Sequence, residues 1–260
     1  AYLGDAKSDA ELRELVGSLV NAIKLPDIGS AAGFGGKGGD AETFYAFSSF
    51  ATPATIYRLN TDTGATDVFA KPNVPFDPAK FSTDQVFYPS KDGTKIPMFL
   101  VRRKDSSGPA PALLYGYGGF NSSVTPAFNA TRLAWVEQGG VLAIANLRGG
   151  GEYGKAWHDA GRLNNKQNVF DDFIAAGEYL ISSGVTAKGK LAIEGRSNGG
   201  LLVGAVVNQR PDLFAAALPA VGPLQINRDL NGRIRLIAEA SREHDPAARQ
   251  ALGSICRQLE

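Results

Sequence analysis

Five short apolar runs constrain this chain more than any other feature: Lys95–Val101, Ala112–Tyr115, Val141–Ala145, Leu191–Glu194 and Ala215–Ala220. The middle ones are almost unbroken by polar residues, as strands covered on both faces must be. Between them lie segments with helical spacing, Arg132–Gln138, Val169–Ser182 and Gly200–Asn208. In the second, Phe170, Phe173, Ile174, Gly177, Leu180 and Ile181 form one stripe that can pack on a sheet. Strand alternating with helix predicts an α/β fold with a mostly parallel sheet from about residue 76 onward.

The chain on either side of that region reads differently. Residues 43–48 and 55–59 are rich in aromatic and β-branched residues, and the turn signal Asp62-Thr63-Gly64 precedes Thr66–Phe69, a hairpin pattern. Glycine fills six of the eleven positions from Gly29 to Gly39, which predicts a loop. Residues 8–25 allow two structures. Ser8 with Glu11 resembles a capping box, and Leu12, Leu15, Val16, Leu19, Val20 and Ile23 share a helical face, so periodicity favours helix. Gly17-Ser18 would serve equally as the turn of a hairpin. Residues 223–260 hold six arginines and no lysine, show no clear apolar strand, and offer only Asp245-Pro246 as a turn before a short helix. That change of character marks a divergent tail.

Composition removes several function classes. Basic and acidic side chains nearly balance at a net charge of +1, so no excess exists to neutralise phosphates, and nucleic acid is not an expected partner. One cysteine, Cys256, and two histidines, His158 and His244, supply neither a disulfide framework nor a metal centre. No apolar run approaches the roughly 20 residues that cross a bilayer, so no membrane role is expected; no cofactor is expected either. The first residues, Ala1-Tyr2-Leu3, lack both Met and a basic leader and suggest an internal piece of a longer protein.

Chemistry enters with Gly195-Arg196-Ser197-Asn198-Gly199-Gly200, which follows a predicted strand and precedes a predicted helix. A G-x-S-x-G run in that context is a nucleophile elbow: a serine on a sharp strand-to-helix turn, with glycines on both sides where Cβ atoms would collide. The alternative is an ordinary serine in a tight turn. An oxyanion needs donors. The Asn198 backbone N–H is one, and the glycine-rich loop Tyr115-Gly116-Tyr117-Gly118-Gly119-Phe120-Asn121 can bring a second, with a tyrosine hydroxyl available. A packing role for those tyrosines is the alternative. The run Gly149–Lys155 matches G-x-x-x-x-G-K, but Ala156 stands where a Mg²⁺-binding hydroxyl is required, and Glu152 would repel phosphate. A glycine-rich surface loop is the expectation there.

Serine also needs a base, and chain order in this kind of fold runs serine, carboxylate, histidine. Downstream of Ser197 only His244 is available, with Asp229 and Glu239 before it. The residues after Ser197 leave little room for two further βα units of roughly 30 residues each. His244-Asp245 therefore reads as a solvated charged segment, and His158 lies upstream, against the chain order.

Together these residues resemble the prolyl oligopeptidase family of serine peptidases. The resemblance rests on Phe87–Met98, Tyr115–Asn121, Arg148–Gly154, Asn165–Asn168, Phe170–Phe173, Ser197–Leu202 and Asn208–Phe214, in that order. It implies an α/β-hydrolase fold, here partial, preceded by the last strands of a β-propeller over residues 1–75, with the catalytic domain over 76–222. It also turns the expectation for residues 8–25 from helix to hairpin. By position it implies Ser197 as nucleophile, Asn198 N–H and Tyr117 OH as oxyanion hole, and Phe120 and Val221 beside a substrate proline. The implied activity is cleavage of short peptides after proline. After Gly222, Pro223-Leu224-Gln225 departs from the family pattern. No residue beyond it matches the family's pocket tryptophan, substrate-binding arginine, or catalytic aspartate and histidine. The expectation is a truncated member, inactive alone. Its alternatives are a non-enzymatic module completed by another chain, or another α/β-hydrolase such as an esterase or aminopeptidase. Self-association through an incomplete sheet edge near 215–220 is the partner expectation. The implied location is cytoplasmic, with export as the alternative.

Overall fold

The computed structural model describes residues 1–37 and 39–220. In chain order these form β1 (Tyr2–Gly4), β2 (Lys7–Arg13), β3 (Leu19–Ile23), β4 (Ser30–Gly35), β5 (Glu42–Ser48), β6 (Thr55–Asn60) and β7 (Thr66–Ala70). Then come β8 (Phe81–Pro89), β9 (Lys95–Arg103), β10 (Ala112–Gly116), α1 (Ala130–Glu137), β11 (Val141–Ala145) and α2 (Lys155–Asp159). The last are α3 (Lys166–Ser182), β12 (Leu191–Arg196), α4 (Asn198–Gln209) and β13 (Ala216–Ala220).

The first seven strands make two antiparallel meanders, β1-β2-β3 and β4-β5-β6-β7. Ala10, Ile23, Tyr45, Phe47 and Leu59 bury themselves between the two sheets. Residues 8–25 are a hairpin rather than a helix: Ala10 pairs with Ile23 and Leu12 with Asn21, around a turn at Glu14–Ser18. The helical spacing was misleading because Leu15 and Val16 occupy the exposed turn instead of a buried face. The glycine-rich stretch predicted to be a loop is largely β4. Pairing with β5 supplies what its own propensity lacks, and a Cβ at Gly29 would lie 2.2 Å from the Phe47 ring.

The remaining strands form one sheet of order β13-β12-β10-β11-β9-β8. β13, β12, β10 and β11 run parallel, while β9 and β8 add an antiparallel hairpin at the edge. This is the mostly parallel α/β sheet predicted, extended by β8. Alternation sorts the sheet's side chains. Ile96, Met98, Leu100, Ala143, Ala145 and Ile193 face α3 and α4, where Phe173, Leu180, Leu202 and Val206 meet them. Phe99, Val101, Leu142 and Ile144 face Leu133 and Val136 of α1.

Ala6, Phe50 and Ala51, from the N-terminal meanders, are buried in that second layer. Asp5 (φ 48°) and Ala6 (φ 64°) form a two-residue turn with both residues left-handed, a conformation normally left to Asn-Gly. Tyr153 OH donates to Asp5 Oδ1 (2.7 Å) and Gln85 to the Asp5 carbonyl, so the turn is seated against the large sheet.

Candidate active site

The chain leaves β10 toward β11 on one side and later returns to place β12 on the other, so the connections reverse beside β10. In open parallel sheets, that reversal leaves a crevice at the carboxyl ends of the strands. Tyr115 of β10 pairs in register with Glu194 of β12, so the segments beginning at Gly116 and Gly195 emerge side by side. These two segments carry Tyr117 and Ser197.

Ser197 has φ 57° and ψ −118°, a strained conformation for a residue with a side chain. Its amide donates to Ala220 O (2.9 Å), and its carbonyl receives the first helical bonds of α4 from Gly200 and Leu201. The hydroxyl does not cap the helix, and the residue is exposed. The bend tolerates only glycine nearby. A Cβ at Gly195 would sit 2.1 Å from Gly199 O, and one at Gly199 would sit 2.6 Å from Gly116 O. Because α4 begins at Asn198, two residues before its predicted start, the Asn198 N–H belongs to the first turn and has no acceptor within the helix. A developing anion beside Ser197 would find that donor and the positive end of α4.

The Asn198 side chain is buried and ties the two segments together. Its Nδ2 donates to Tyr117 O, while its Oδ1 accepts from Lys166 Nζ at 3.3 Å. Lys166 Nζ also donates to Gly118 O at 2.7 Å. Tyr117 is half-buried. Phe120 stands 77% exposed with φ 54°, displayed on the surface of the same loop.

The Gly149–Lys155 run, expected to be a surface loop, is buried at Gly149, Gly150 and Glu152 and exposed from Tyr153 to Lys155. Gly149 accommodates Gly118 O, and Arg148 before the run and Glu152 inside it are partnered structurally. Arg148 donates through Nε and Nη2 to Asp172, which also accepts from Ser90 Oγ, and through Nη1 to Asp92. Glu152 Oε1 accepts from Val124 N (2.8 Å), and burial raises the Glu152 carboxyl above the ordinary range. These contacts hold the loop between β10 and α1 against the sheet. His158 Nδ1 lies 2.7 Å from Gly149 O and 3.1 Å from the Asn121 amide, so this ring nitrogen is held inside the loop.

Of the residues singled out from sequence, the structure brings Ser197, Asn198 and the Tyr117 loop together. It places Phe120 farther along that loop. Val221, Asp229, Glu239, His244 and Cys256 lie outside the described residues. Sequence reasoning passed over Lys166 and Arg148 as individual groups and read Glu152 only as a carboxylate that would repel phosphate. Arg148, between Leu147 and Gly149, and Glu152, between Gly151 and Tyr153, carried the one available signal, a charge flanked by glycine or apolar residues; Lys166, between Asn165 and Gln167, carried none.

The profile of the prolyl oligopeptidase family matches residues 126–247, reaching into the stretch 223–260 expected to be divergent. The profile of that family's N-terminal β-propeller domain matches residues 1–72. A prolyl endopeptidase of Elizabethkingia miricola is 50% identical over 229 residues, covering 87% of this chain and 32% of the relative. A prolyl endopeptidase of Dictyostelium discoideum is 44% identical, covering 88% and 31%. Among solved structures, one from a study of inter-domain dynamics in two prolyl endopeptidases superposes with a TM-score of 0.80 at 61% identity, covering 85% of this chain and 32% of that one. Prolyl oligopeptidase B of Galerina marginata, bound to a 25mer macrocyclization substrate, gives 0.77 at 38% identity, covering 84% and 31%. The chain thus spans about a third of the length of the relatives it matches.

Proposed function

Since the chain belongs to the prolyl oligopeptidase family, we propose that it carries the nucleophile and oxyanion-binding part of a serine peptidase that cleaves short peptides after proline. One observation carries this reading. Ser197 presents an exposed hydroxyl, which does not cap α4, from a strained bend at the start of that helix, beside the Tyr117 loop.

Ser197 Oγ attacks the carbonyl carbon of the residue preceding the scissile bond. The carbonyl oxygen becomes an oxyanion, accepting from Asn198 N–H and Tyr117 O–H. Collapse expels the amine and leaves an ester on Ser197, which water then hydrolyses. Phe120 and Val221 flank the proline ring. A base must take the Ser197 proton. His158 Nδ1 is engaged at Gly149 O, and this reading assigns that role to no histidine of the chain. General-base help is worth about 10²–10⁴-fold, so amide turnover by these 260 residues is expected to be slow. Activated esters need less of that help and remain substrates.

The test is release of p-nitrophenol from an activated ester, and of p-nitroaniline from a blocked substrate with proline at the cleavage position. Ser197→Ala should abolish both, and release unchanged in that variant would overturn the reading. A second reading, an aminopeptidase, is favoured by 44% identity over 181 residues to dipeptidyl aminopeptidase BI of Pseudoxanthomonas mexicana. Preference for a free over a blocked N-terminus would select it. Self-association is proposed through β13, the outermost described strand on its side of the sheet. Light scattering that shows a monomer at all concentrations would refute it.

A further inference from the structure

Lys166 breaks local rules. It is a cation at the first position of α3, where the helix dipole disfavours positive charge. Its ammonium is half-buried, and burial lowers it to about 8. No carboxylate is among its hydrogen-bond partners in the described residues. Its partners are the Gly118 carbonyl (2.7 Å) and Asn198 Oδ1 (3.3 Å). A residue held at such cost is worth examining for what its contacts determine.

They determine which way the Asn198 carboxamide faces. An ammonium only donates, so the amide atom toward Lys166 must be the oxygen. The amide nitrogen is then turned to Tyr117 O, to which it donates. Without Lys166, Asn198 Oδ1 loses this donor and the carboxamide is held by its Nδ2 bond to Tyr117 O alone. Lys166 also grips the same loop one residue on, at Gly118. Both proposed oxyanion donors hang on this assembly: the Asn198 N–H belongs to the braced residue, and the Tyr117 hydroxyl extends from the braced loop.

We propose that Lys166 is a positioning residue for the oxyanion hole, bridging Gly118 O and Asn198 Oδ1 so that the Tyr117 loop and the Ser197 elbow keep a fixed separation. This rests on the reading of Ser197 as nucleophile. Lys166 touches no substrate, so its loss should lower the rate of the step that develops negative charge and leave substrate binding alone.

The experiment measures Ser197-dependent hydrolysis of an activated p-nitrophenyl ester by the full chain, with kcat and KM taken separately. Lys166→Met keeps the stem and removes both donors; Lys166→Gln can reach one acceptor but not both. Loss of a single oxyanion donor costs about 10²–10³-fold in kcat, and a misplaced pair should cost less, about tenfold in the Met variant. The Gln variant should fall between it and the parent, with KM unchanged in both. An unchanged kcat in either variant that keeps the parent's circular dichroism overturns the proposal, as does a loss confined to KM. If neither variant folds, Lys166 is a folding contact and the proposal fails. Ser197→Ala runs alongside. Hydrolysis that survives in Ser197→Ala indicts the nucleophile assignment, whereas hydrolysis lost there but untouched by the Lys166 variants indicts only the brace.

Discussion

Arg148→Met, in the loop after β11, should be strongly destabilising. The Arg148 side chain is 5% exposed and the Asp172 side chain 0%. The Asp172 carboxylate accepts from Arg148 Nη2 (2.6 Å), Arg148 Nε (3.0 Å), the Arg148 amide (3.1 Å) and Ser90 Oγ (2.6 Å). Methionine keeps most of the stem volume and leaves only the amide and the serine to satisfy a buried charge. Removing one member of a buried pair costs about 3–5 kcal/mol, because the other charge stays desolvated. Asp172→Leu should fall at the low end of that range, since Asp92 still pairs with Arg148 Nη1. The double variant removes both charges and should cost far less than the two losses added together. Urea unfolding followed by Trp135 and Trp157 fluorescence provides the assay, and Trp157 donates to Leu147 O, one residue from Arg148. At a slope of about 2 kcal/mol/M, 4 kcal/mol moves the midpoint by about 2 M. Single variants that each cost under about 1 kcal/mol, or losses that add to within about 0.5 kcal/mol, would show that the pair is not coupled as its geometry requires.

Two glycines of α4 should respond oppositely to alanine. At Gly199 the new methyl meets Gly116 O, so about 1–3 kcal/mol of stability and the Ser197-dependent esterolysis should both be lost. At Gly204 it meets nothing within 4 Å among the described residues, and a rise of about 0.5–1 kcal/mol from helix propensity is expected; a falling thermal midpoint would contradict it. Tyr117→Phe should lower kcat for ester hydrolysis by about 10²–10³-fold with KM little changed, and an unaltered kcat would remove the phenol from the oxyanion hole. Hydrogen bonding from Arg148 holds the Asp92 carboxyl at about 2, below its ordinary 3.8, so its contribution is complete above the higher value and disappears as pH falls toward the lower. Asp92→Asn should therefore flatten the loss of stability between about pH 4 and pH 2; parallel curves for parent and variant would refute the linkage.

How much the sequence disclosed depended on the range of the forces involved. β11 was readable residue for residue because both its faces are buried, which forces an unbroken apolar run. β8 was not, since as the edge strand it mixes buried Phe81 and Tyr88 with exposed Asp84, Phe87 and Pro89. β4 was hidden because its conformation comes from pairing with β5 rather than from its own glycines. The serine bend is a local event and left a local signature in Gly195–Gly200. The brace and the buried ion pair are not local. Lys166 reaches Asn198 across 32 positions and Arg148 reaches Asp172 across 24, so neither spacing carries a periodic mark.

The left-handed turn at Asp5-Ala6 has a practical corollary for anyone dividing this gene. Ala6, Phe50 and Ala51 stopper a greasy socket whose walls are Phe81, Phe99 and Ile144. Cutting at residue 75 would hand the downstream piece an unplugged hole, and such a product should clump on expression. Keeping the first 51 residues attached, or supplying them in trans as a separate peptide, is the route to a soluble downstream piece.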